Sequence, residues 1–189
     1  MKSNSRPLSR CPAPRCAPRW RSSRPDVVVT GDVRLSHGVN LWYGTVIRGD
    51  LATVTLKQNV NIQDNCVLHT DFDVPLLIEE GVVAGHSAVL HGSRVGRDCL
   101  VGIGARVLSG TDIGEESIVA AGSVVTEGKV IPPRSLVMGI PARVVRQVTD
   151  EELAKTRMIN RRYREMAERY ARGEIDWPYG KPASPSGRA

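Results

Sequence analysis

The sequence predicts an all-β solenoid, a parallel β-helix of hexapeptide repeats, with a C-terminal α-helix packed along it. Three observations lead to this fold. An apolar residue returns about every six positions, a small or β-branched residue follows four places later, and one long amphipathic segment comes after the repeats. A period of six matches neither the helical period nor the alternation of a simple strand, whereas it suits very short strands separated by turns.

The apolar repeat begins at Val29 and ends at Val137. The first place of each hexad is occupied by Val29, Leu35, Leu41, Ile47, Leu56, Ile62, Leu68, Ile78, Ala84, Leu90, Val95, Val101, Val107, Ile113, Val119, Val125, Ile131 and Val137. In a solenoid these side chains face the interior, and successive coils pair through backbone hydrogen bonds about 4.8 Å apart. Three hexads close one triangular coil. A β-sandwich of short strands is the alternative, but it does not require eighteen apolar positions in phase.

The period is interrupted at three places. Three residues are added between Ile47 and Leu56, four are added between Leu68 and Ile78, and one is lost between Leu90 and Val95. Extra residues in a solenoid leave its wall as loops, and such loops often gather on the binding face. The second insertion, covered by residues 69–75, is therefore a candidate functional loop.

The chain divides into five segments. These are a basic Arg/Pro/Ser-rich tail predicted to be disordered (1–26), the β-helix (27–140), a connector (141–148), an amphipathic helix (149–173) and a flexible tail (174–189). Thr149 and Glu152 form a capping box at the start of the helix, and Gly173 ends it. The face expected to lie on the solenoid wall consists of Leu153, Ile159, Tyr163, Met166, Ala167 and Tyr170.

The charge is distributed unevenly along the chain. The formal net charge is +6, but residues 1–25 carry seven basic groups and no acidic one, so the remainder carries about −1. A nucleic-acid-binding domain would carry its basic surface on the fold itself, so we expect no nucleic-acid partner. No apolar run approaches the roughly 18 residues of a membrane-spanning helix, so no membrane span is expected.

The cysteines and the tail bear on the location of the protein. Cys66 and Cys99 fall at interior positions, and nothing resembles the disulfide framework of a secreted protein, which predicts a reducing, cytoplasmic location. The acid-free tail also allows organelle targeting, although its prolines suit the amphipathic helix of a targeting sequence poorly. Cys11 and Cys16 are a weak signal for metal binding in a tail of this composition.

Counting hexads around the triangle places two histidines side by side. His69 and His91 follow inward residues on the same side of successive coils, so they stack about 4.8 Å apart. His86 lies on a different side, stacked on Asp64. If three chains pack about a three-fold axis, the pair from one chain meets the single histidine of the next. Three neutral imidazoles with an open fourth position form a catalytic zinc site.

A plainer interpretation of these histidines is also open. All three could be wall residues that face water or pack at an interface. His37 has no stacked partner and is interpreted as a surface residue.

A continuous motif surrounds the histidines. It reads RGDLATVTLKQNVNIQDNCVLHTDFDVPLLIEEGVVAGHSAVLHG, and GIPARVV with a helix follows later. This motif resembles that of the γ-class carbonic anhydrases over about residues 27–172. The resemblance implies a homotrimer of left-handed β-helices with a metal at each subunit interface, and reversible hydration of CO2 to bicarbonate. It also implies that the metal ligands are His69, His86 and His91.

The resemblance further implies roles for neighbouring residues. Gln63 would hydrogen-bond the water on the metal, and Tyr163 would contribute from the helix. Charged contacts at the subunit interface would come from Arg48, Asp50 and Asp64.

The sequence departs from the family pattern at the positions that move protons. Leu51 and Phe72 stand where the most active members carry glutamates, so Asp71 or Asp73 would have to substitute as the proton shuttle. Zn²⁺ is the expected cofactor, and Fe²⁺ or Co²⁺ also suits imidazole and water ligands. Two other functions remain open. One is a CoA-dependent acyltransferase or thioesterase, an activity found on many hexapeptide β-helices, and the other is a non-catalytic trimeric scaffold with a structural metal site.

Overall fold

The computed structural model describes residues 26–175 and the backbone of residues 15–16. Most of the two predicted tails, with the side chains of Cys11 and Cys16, lies outside the described residues. The elements are, in chain order, β1 (Arg15–Cys16), β2 (Val28–Leu35), β3 (Asn40–Leu41), β4 (Val46–Leu56), β5 (Asn61–Ile62), β6 (Val67–His69), β7 (Leu76–Ile78), β8 (Val83–Ala84), β9 (Val89–His91), β10 (Arg94–Val95), β11 (Leu100–Val101), β12 (Arg106–Val107), β13 (Asp112–Ile113), β14 (Ile118–Val119), β15 (Val124–Val125), β16 (Val130–Ile131), β17 (Ser135–Gly139), β18 (Ala142–Gln147) and α1 (Asp150–Ala171).

The strands form a parallel solenoid in which each strand pairs with its counterpart in the next coil. The long strand β4 pairs with β6 through its first residues and with β7 through its last, and so joins two sides of the triangle into one eleven-stranded sheet. The third side is a seven-stranded sheet in the order β18-β17-β14-β11-β8-β5-β3. Most strands have only two or three residues, as a six-residue period with intervening turns requires.

The interior is a continuous aliphatic column. Seventeen of the eighteen predicted inward positions are buried, and Val29 is partly buried against them. Cys66 and Cys99 are buried free thiols, which confirms their predicted interior location. Burial raises the pKa of each thiol to about 12, so both stay protonated and unreactive at neutral pH.

The two insertions behave differently. Residues 49–53 do not leave the wall as a loop, contrary to the expectation, but remain within β4. The register with β2 shifts once, after Gly31, and pairing resumes beyond the shift, so the extra residues bend the strand without ending it. The second insertion does leave the wall, and a bridge between Asp71 and Val74 closes its loop.

Gly31 permits the close approach of β2 and β4. Its φ is +83°, and a Cβ there would lie 2.3 Å from the carbonyl oxygen of Gly49. We expect Gly31→Ala to lower the free energy of unfolding by about 3 kcal/mol or more, because backbone overlap adds to left-handed strain. Gly104 is a matched control, since its φ is +66° and nothing lies within 4 Å of its added Cβ. Gly104→Ala should lose only roughly 1–2 kcal/mol in chemical denaturation. Equal losses would contradict the explanation.

The segment 141–148, predicted as a connector, contains a strand. β18 runs antiparallel to β17 and pairs from Ser135–Gln147 to Gly139–Ala142. The last parallel strand of the seven-stranded sheet would otherwise present unpaired backbone groups, and the returning chain satisfies them. The connector prediction missed this strand because β18 does not follow the six-residue repeat and pairs antiparallel with β17.

α1 begins and ends where the sequence predicts. The Thr149 side chain accepts from the N–H of Glu152, and the Glu152 carboxylate accepts from the N–H of Thr149, so both halves of the capping box form. The helix lies along β3, β5 and β8. No helix within residues 26–175 has an apolar stretch long enough to cross a membrane.

The docking face of α1 is more polar than predicted. Leu153 and Ala167 are buried as expected, but Met166 is 38% exposed. The buried Asn160 instead donates to the carbonyl oxygens of Asn59 and Gly81, at 2.7 and 3.1 Å. Buried backbone carbonyls in the turns at the solenoid corner need hydrogen-bond donors. A pattern of apolar spacing does not detect a polar donor such as Asn160.

Candidate metal centre

Two of the predicted ligands are neighbours on one side of the solenoid. Strands β4, β6 and β9 align Arg48, His69 and His91 in register, because the residue before each of them points inward. The Nδ1 atom of His69 lies 3.1 Å from the Nε2 atom of His91. The stacked pair therefore forms as the hexad count predicts.

The third histidine, His86, lies in the turn after β8 of the seven-stranded sheet, beside α1. Its Nδ1 atom lies 2.7 Å from a carboxylate oxygen of Asp64, the stacked residue in the preceding coil. Its Nε2 atom lies 3.2 Å from the Tyr163 hydroxyl. A carboxylate only accepts, so His86 donates from Nδ1, and its Nε2 lone pair accepts from the tyrosine. Burial raises the pKa of Tyr163, which keeps that hydroxyl protonated.

Each of the three candidate ligands has a ring nitrogen next to a carboxylate or hydroxyl oxygen, and His86 has the Tyr163 hydroxyl at its second nitrogen as well. Nε2 of His69 lies 3.0 Å from Asp50, and Nδ1 of His91 lies 2.8 Å from the Ser109 hydroxyl. Asp64 holds His86 in the same way. Imidazoles that bind a metal through one nitrogen are usually oriented like this through the other.

The two nitrogens of the histidine pair that face each other, Nδ1 of His69 and Nε2 of His91, are placed so that both could bind one cation. Burial alone would raise the pKa of Asp50, but hydrogen bonds with His69 and Arg48 hold it below its ordinary value. The ionised carboxylate must accept, so His69 donates from Nε2, and its Nδ1 lone pair faces His91 whenever the ring is neutral. Within residues 26–175, one chain brings together no group of three or more His, Cys, Asp or Glu side chains able to hold a metal. One chain thus supplies a pair and a separate single histidine.

A chain of buried amides orients Gln63. The Trp42 indole N–H donates to Asn40 Oδ1 at 3.0 Å, and Asn61 Nδ2 donates to the same oxygen at 2.6 Å. Asn61 Oδ1 in turn accepts from Gln63 Nε2 at 3.2 Å. An indole can only donate, so it determines the direction of every bond in the chain. Gln63 is left with its Oε1 as an acceptor.

The insertion loop carries the two candidate shuttle carboxylates. Asp71 accepts from the backbone N–H of Phe72 at 2.8 Å and from the Ser109 hydroxyl at 3.3 Å. The Phe72 N–H is the main cause that holds the pKa of Asp71 below its ordinary value. Asp73 is exposed, in the left-handed backbone region at φ 57°. Phe72 and Leu51 are 74% and 44% exposed and cannot carry protons.

Apolar surface flanks both halves of the candidate site. Beside the histidine pair, strands β2, β4, β6 and β9 present an outward stripe, the valine column, consisting of Val28, Val46, Val67 and Val89. Arg106 of β12 follows Val89 in the same register and ends the column. Beside His86, a groove of about 430 Å³ is lined by Leu100 and Ile118 of the seven-stranded sheet, by Ile103 in the turn after β11 and by Ile159 of α1.

Sequence reasoning missed three residues that the structure places at the site. They are Ser109 behind His91, and Asn61 and Asn40 behind Gln63. The two asparagines could have been found from the sequence. Each directly precedes an inward residue at the same register position of successive coils, which predicts that they stack. Ser109 carries none, since it reaches His91 from the turn after β12.

Comparison with known proteins identifies the family. The chain is 51% identical over 141 residues to the probable carbonic anhydrase of Methanocaldococcus jannaschii, covering 75% of this chain and 89% of that one. It is 43% identical over 144 residues to the carbonic anhydrase of Geobacillus kaustophilus, covering 76% and 79%. The mitochondrial gamma carbonic anhydrase 1 of Arabidopsis thaliana is 38% identical, covering 78% of this chain and 56% of that longer one. The chain belongs to the γ-class carbonic anhydrase family.

The comparisons also confirm the fold of this γ-class carbonic anhydrase homologue. The repeat family "Bacterial transferase hexapeptide (six repeats)" matches residues 92–127. A solved Bacillus cereus structure, described provisionally as an acetyltransferase, superposes with a TM-score of 0.81 at 37% identity, covering 84% of this chain and 92% of that one. The left-handed parallel β-helix with a C-terminal helix is therefore the fold, and a carbonic anhydrase-like lyase is the enzyme class.

Proposed function

We propose that the protein catalyses the reversible hydration of CO2 to bicarbonate at metal sites shared between the subunits of a homotrimer. The observation that carries this proposal is the division of the histidines. His69 and His91 face each other across 3.1 Å on one side of the chain, while His86 lies on another side. Three-fold packing brings the pair of one subunit to the single histidine of the next.

The apolar surfaces support this packing. A cyclic trimer uses two different faces of each subunit, and each face meets the other kind on its neighbour. The valine column lies beside the histidine pair, and the groove lined by Leu100 and Ile118 lies beside His86. Placing the column of one subunit against the groove of the next buries both and brings the histidines together.

The three imidazoles would hold a divalent metal and leave one position open. Zinc is the default, and Fe²⁺ or Co²⁺ fits the same donors. When bound, such an ion supplies a hydroxide nucleophile at neutral pH, because it lowers the pKa of a coordinated water to about 7. Asp50 and Asp64 orient His69 and His86, and the Arg48–Asp50 ion pair holds the first of these carboxylates in place.

Gln63 and Tyr163 act on the reacting water. The Gln63 Oε1 atom accepts a hydrogen bond from the attacking oxygen and so directs a lone pair of that oxygen at CO2. The Tyr163 hydroxyl lies 3.2 Å from Nε2 of His86. With His86 holding a metal, this hydroxyl would be available to donate to an oxygen of bicarbonate.

Proton export falls to the insertion loop. Asp71 and Asp73 are both exposed, as a relay that exchanges protons with solvent must be, and Asp73 is the proposed relay to buffer because Asp71 is engaged by Phe72 and Ser109. Asp71 keeps both carboxylate oxygens in hydrogen bonds. The cytoplasmic location, and targeting by the basic tail, stay predictions.

The proposal is tested by metal content and CO2 hydration of protein purified with and without oxygen. We expect about one metal ion per chain and turnover that disappears with a chelator and returns with the metal. Oxygen-sensitive activity would identify Fe²⁺. Trimer without metal would overturn the proposal. Metal without hydration, even in concentrated buffer, would favour the scaffold function.

An acyltransferase or thioesterase is the second candidate. The groove beside His86, of about 430 Å³, is within the size range of ligand pockets. The solved Bacillus cereus structure bears an acetyltransferase description. Turnover of a CoA thioester that survives metal removal would favour this function over CO2 hydration.

A further inference from the structure

A serine and an aspartate lie behind His91, on the side away from His69. The Ser109 hydroxyl oxygen is 2.8 Å from Nδ1 of His91 and 3.3 Å from one carboxylate oxygen of Asp71. The other carboxylate oxygen of Asp71 accepts from the Phe72 N–H at 2.8 Å. Asp71 comes from the insertion loop, and Ser109 from the turn after β12. Two distant segments therefore meet behind one imidazole.

The direction of these hydrogen bonds follows from elementary chemistry. An ionised carboxylate only accepts, so the Ser109 hydroxyl donates its proton to Asp71. The Ser109 oxygen then has only lone pairs to offer His91, and Nδ1 of His91 must be the donor. A neutral imidazole carries one N–H, so its Nε2 is left as a bare lone pair facing His69.

We propose that Asp71 and Ser109 are positioning residues that hold His91 in the Nδ1–H tautomer and thereby set the metal affinity of the site. The inference rests on the proposed metal site. It also gives Asp71 a different role from proton transfer, since both of its oxygens are occupied by donors. Asp73 remains the carboxylate available for proton export.

Replacing Asp71 by asparagine should reverse the chain of hydrogen bonds. The Phe72 N–H keeps the asparagine oxygen on its side, so the amide nitrogen faces Ser109 and donates to it. The Ser109 proton no longer has a carboxylate acceptor and becomes available to Nδ1 of His91, 2.8 Å away. His91 takes its proton at Nε2, the nitrogen needed for the metal, although the shape of the site is unchanged.

The test compares the zinc affinity of four variant trimers with that of the wild type by chelator competition. We expect Ser109→Ala and Asp71→Asn to weaken zinc binding roughly 10–100-fold, the usual effect of removing a group that orients a ligand. Ser109→Thr should retain wild-type affinity, because it keeps the hydroxyl. Ser93→Ala is the matched control, since this buried serine has no hydrogen-bond partner for its hydroxyl within residues 26–175 and lies two residues from His91.

A second measurement reads the tautomer directly. Nitrogen NMR of the metal-free protein with its histidines neutral should place the His91 proton on Nδ1 in the wild type and on Nε2 in Asp71→Asn. A proton on Nε2 in the wild type would overturn the inference, whether or not zinc binds. If the wild type fails to bind zinc, the proposed function fails instead. If it binds zinc and Ser109→Ala binds equally well, only the inference fails.

Discussion

His91→Ala is expected to remove stable metal binding and to lower kcat/KM for CO2 hydration by well over about 100-fold. Removing only a group that orients a metal ligand costs roughly 10–100-fold, and losing the ligand itself must cost more. His91 Nε2 is one of the two nitrogens that face each other across 3.1 Å, so the variant keeps only His69 of the pair. Metal analysis and stopped-flow hydration measure the two effects together.

His37→Ala is the matched control for this substitution. His37 is exposed and lies outside the candidate site, so its variant should keep both metal and activity. Light scattering must show that the His91 variant is still a trimer. A His91→Ala trimer that retains metal and wild-type turnover would exclude His91 as a ligand.

Val67→Glu is expected to break the trimer and abolish hydration with it. Val67 is 39% exposed in the middle of the valine column, and it lies on β6 two residues before His69. Covering a carboxylate with apolar surface costs several kcal/mol per ion, and three-fold symmetry places the charge at every interface. Sedimentation or light scattering should report monomers. Metal content should fall as well, because in a monomer the histidine pair has no His86 from a neighbouring subunit.

Val130→Glu provides the same chemical change on a different side of the solenoid. Val130 is 74% exposed on β16, which does not belong to the valine column. This variant should remain a trimer with normal turnover. If Val67→Glu also remains a trimer, the valine column is not an interface and the proposed packing is wrong.

The sequence was sufficient to predict the features that depend on the period. Counting hexads from Ile47 to Leu68 and Leu90 places His69 beside His91, and the observed register agrees. The same count assigns His86 to another side of the triangle. The six-residue period determines the register between strands of successive coils, because a shift by one residue would turn the inward aliphatic side chains to the surface.

Features that depend on long-range side-chain contacts could not be predicted. Asp71 reaches Ser109 only because the insertion loop meets the turn after β12, and no periodic pattern encodes that meeting. The direction of the amide chain behind Gln63 depends on the indole of Trp42, which counts only as an apolar residue in a hydropathy pattern. β18 and the docking of Asn160 depend on backbone groups left unpaired elsewhere, which a pattern of side chains does not reveal.

The sharing of each metal site between two subunits is tested most directly by mixing two inactive variants. His86→Ala keeps the pair and lacks the single histidine, whereas the double variant His69→Ala/His91→Ala keeps only His86. Neither should hydrate CO2 alone. Every mixed trimer has one interface where an intact pair meets an intact His86, so random assembly of equal amounts should restore about one quarter of wild-type activity and metal content. A mixture as inactive as its parents, or a parent that is active alone, would contradict the shared site.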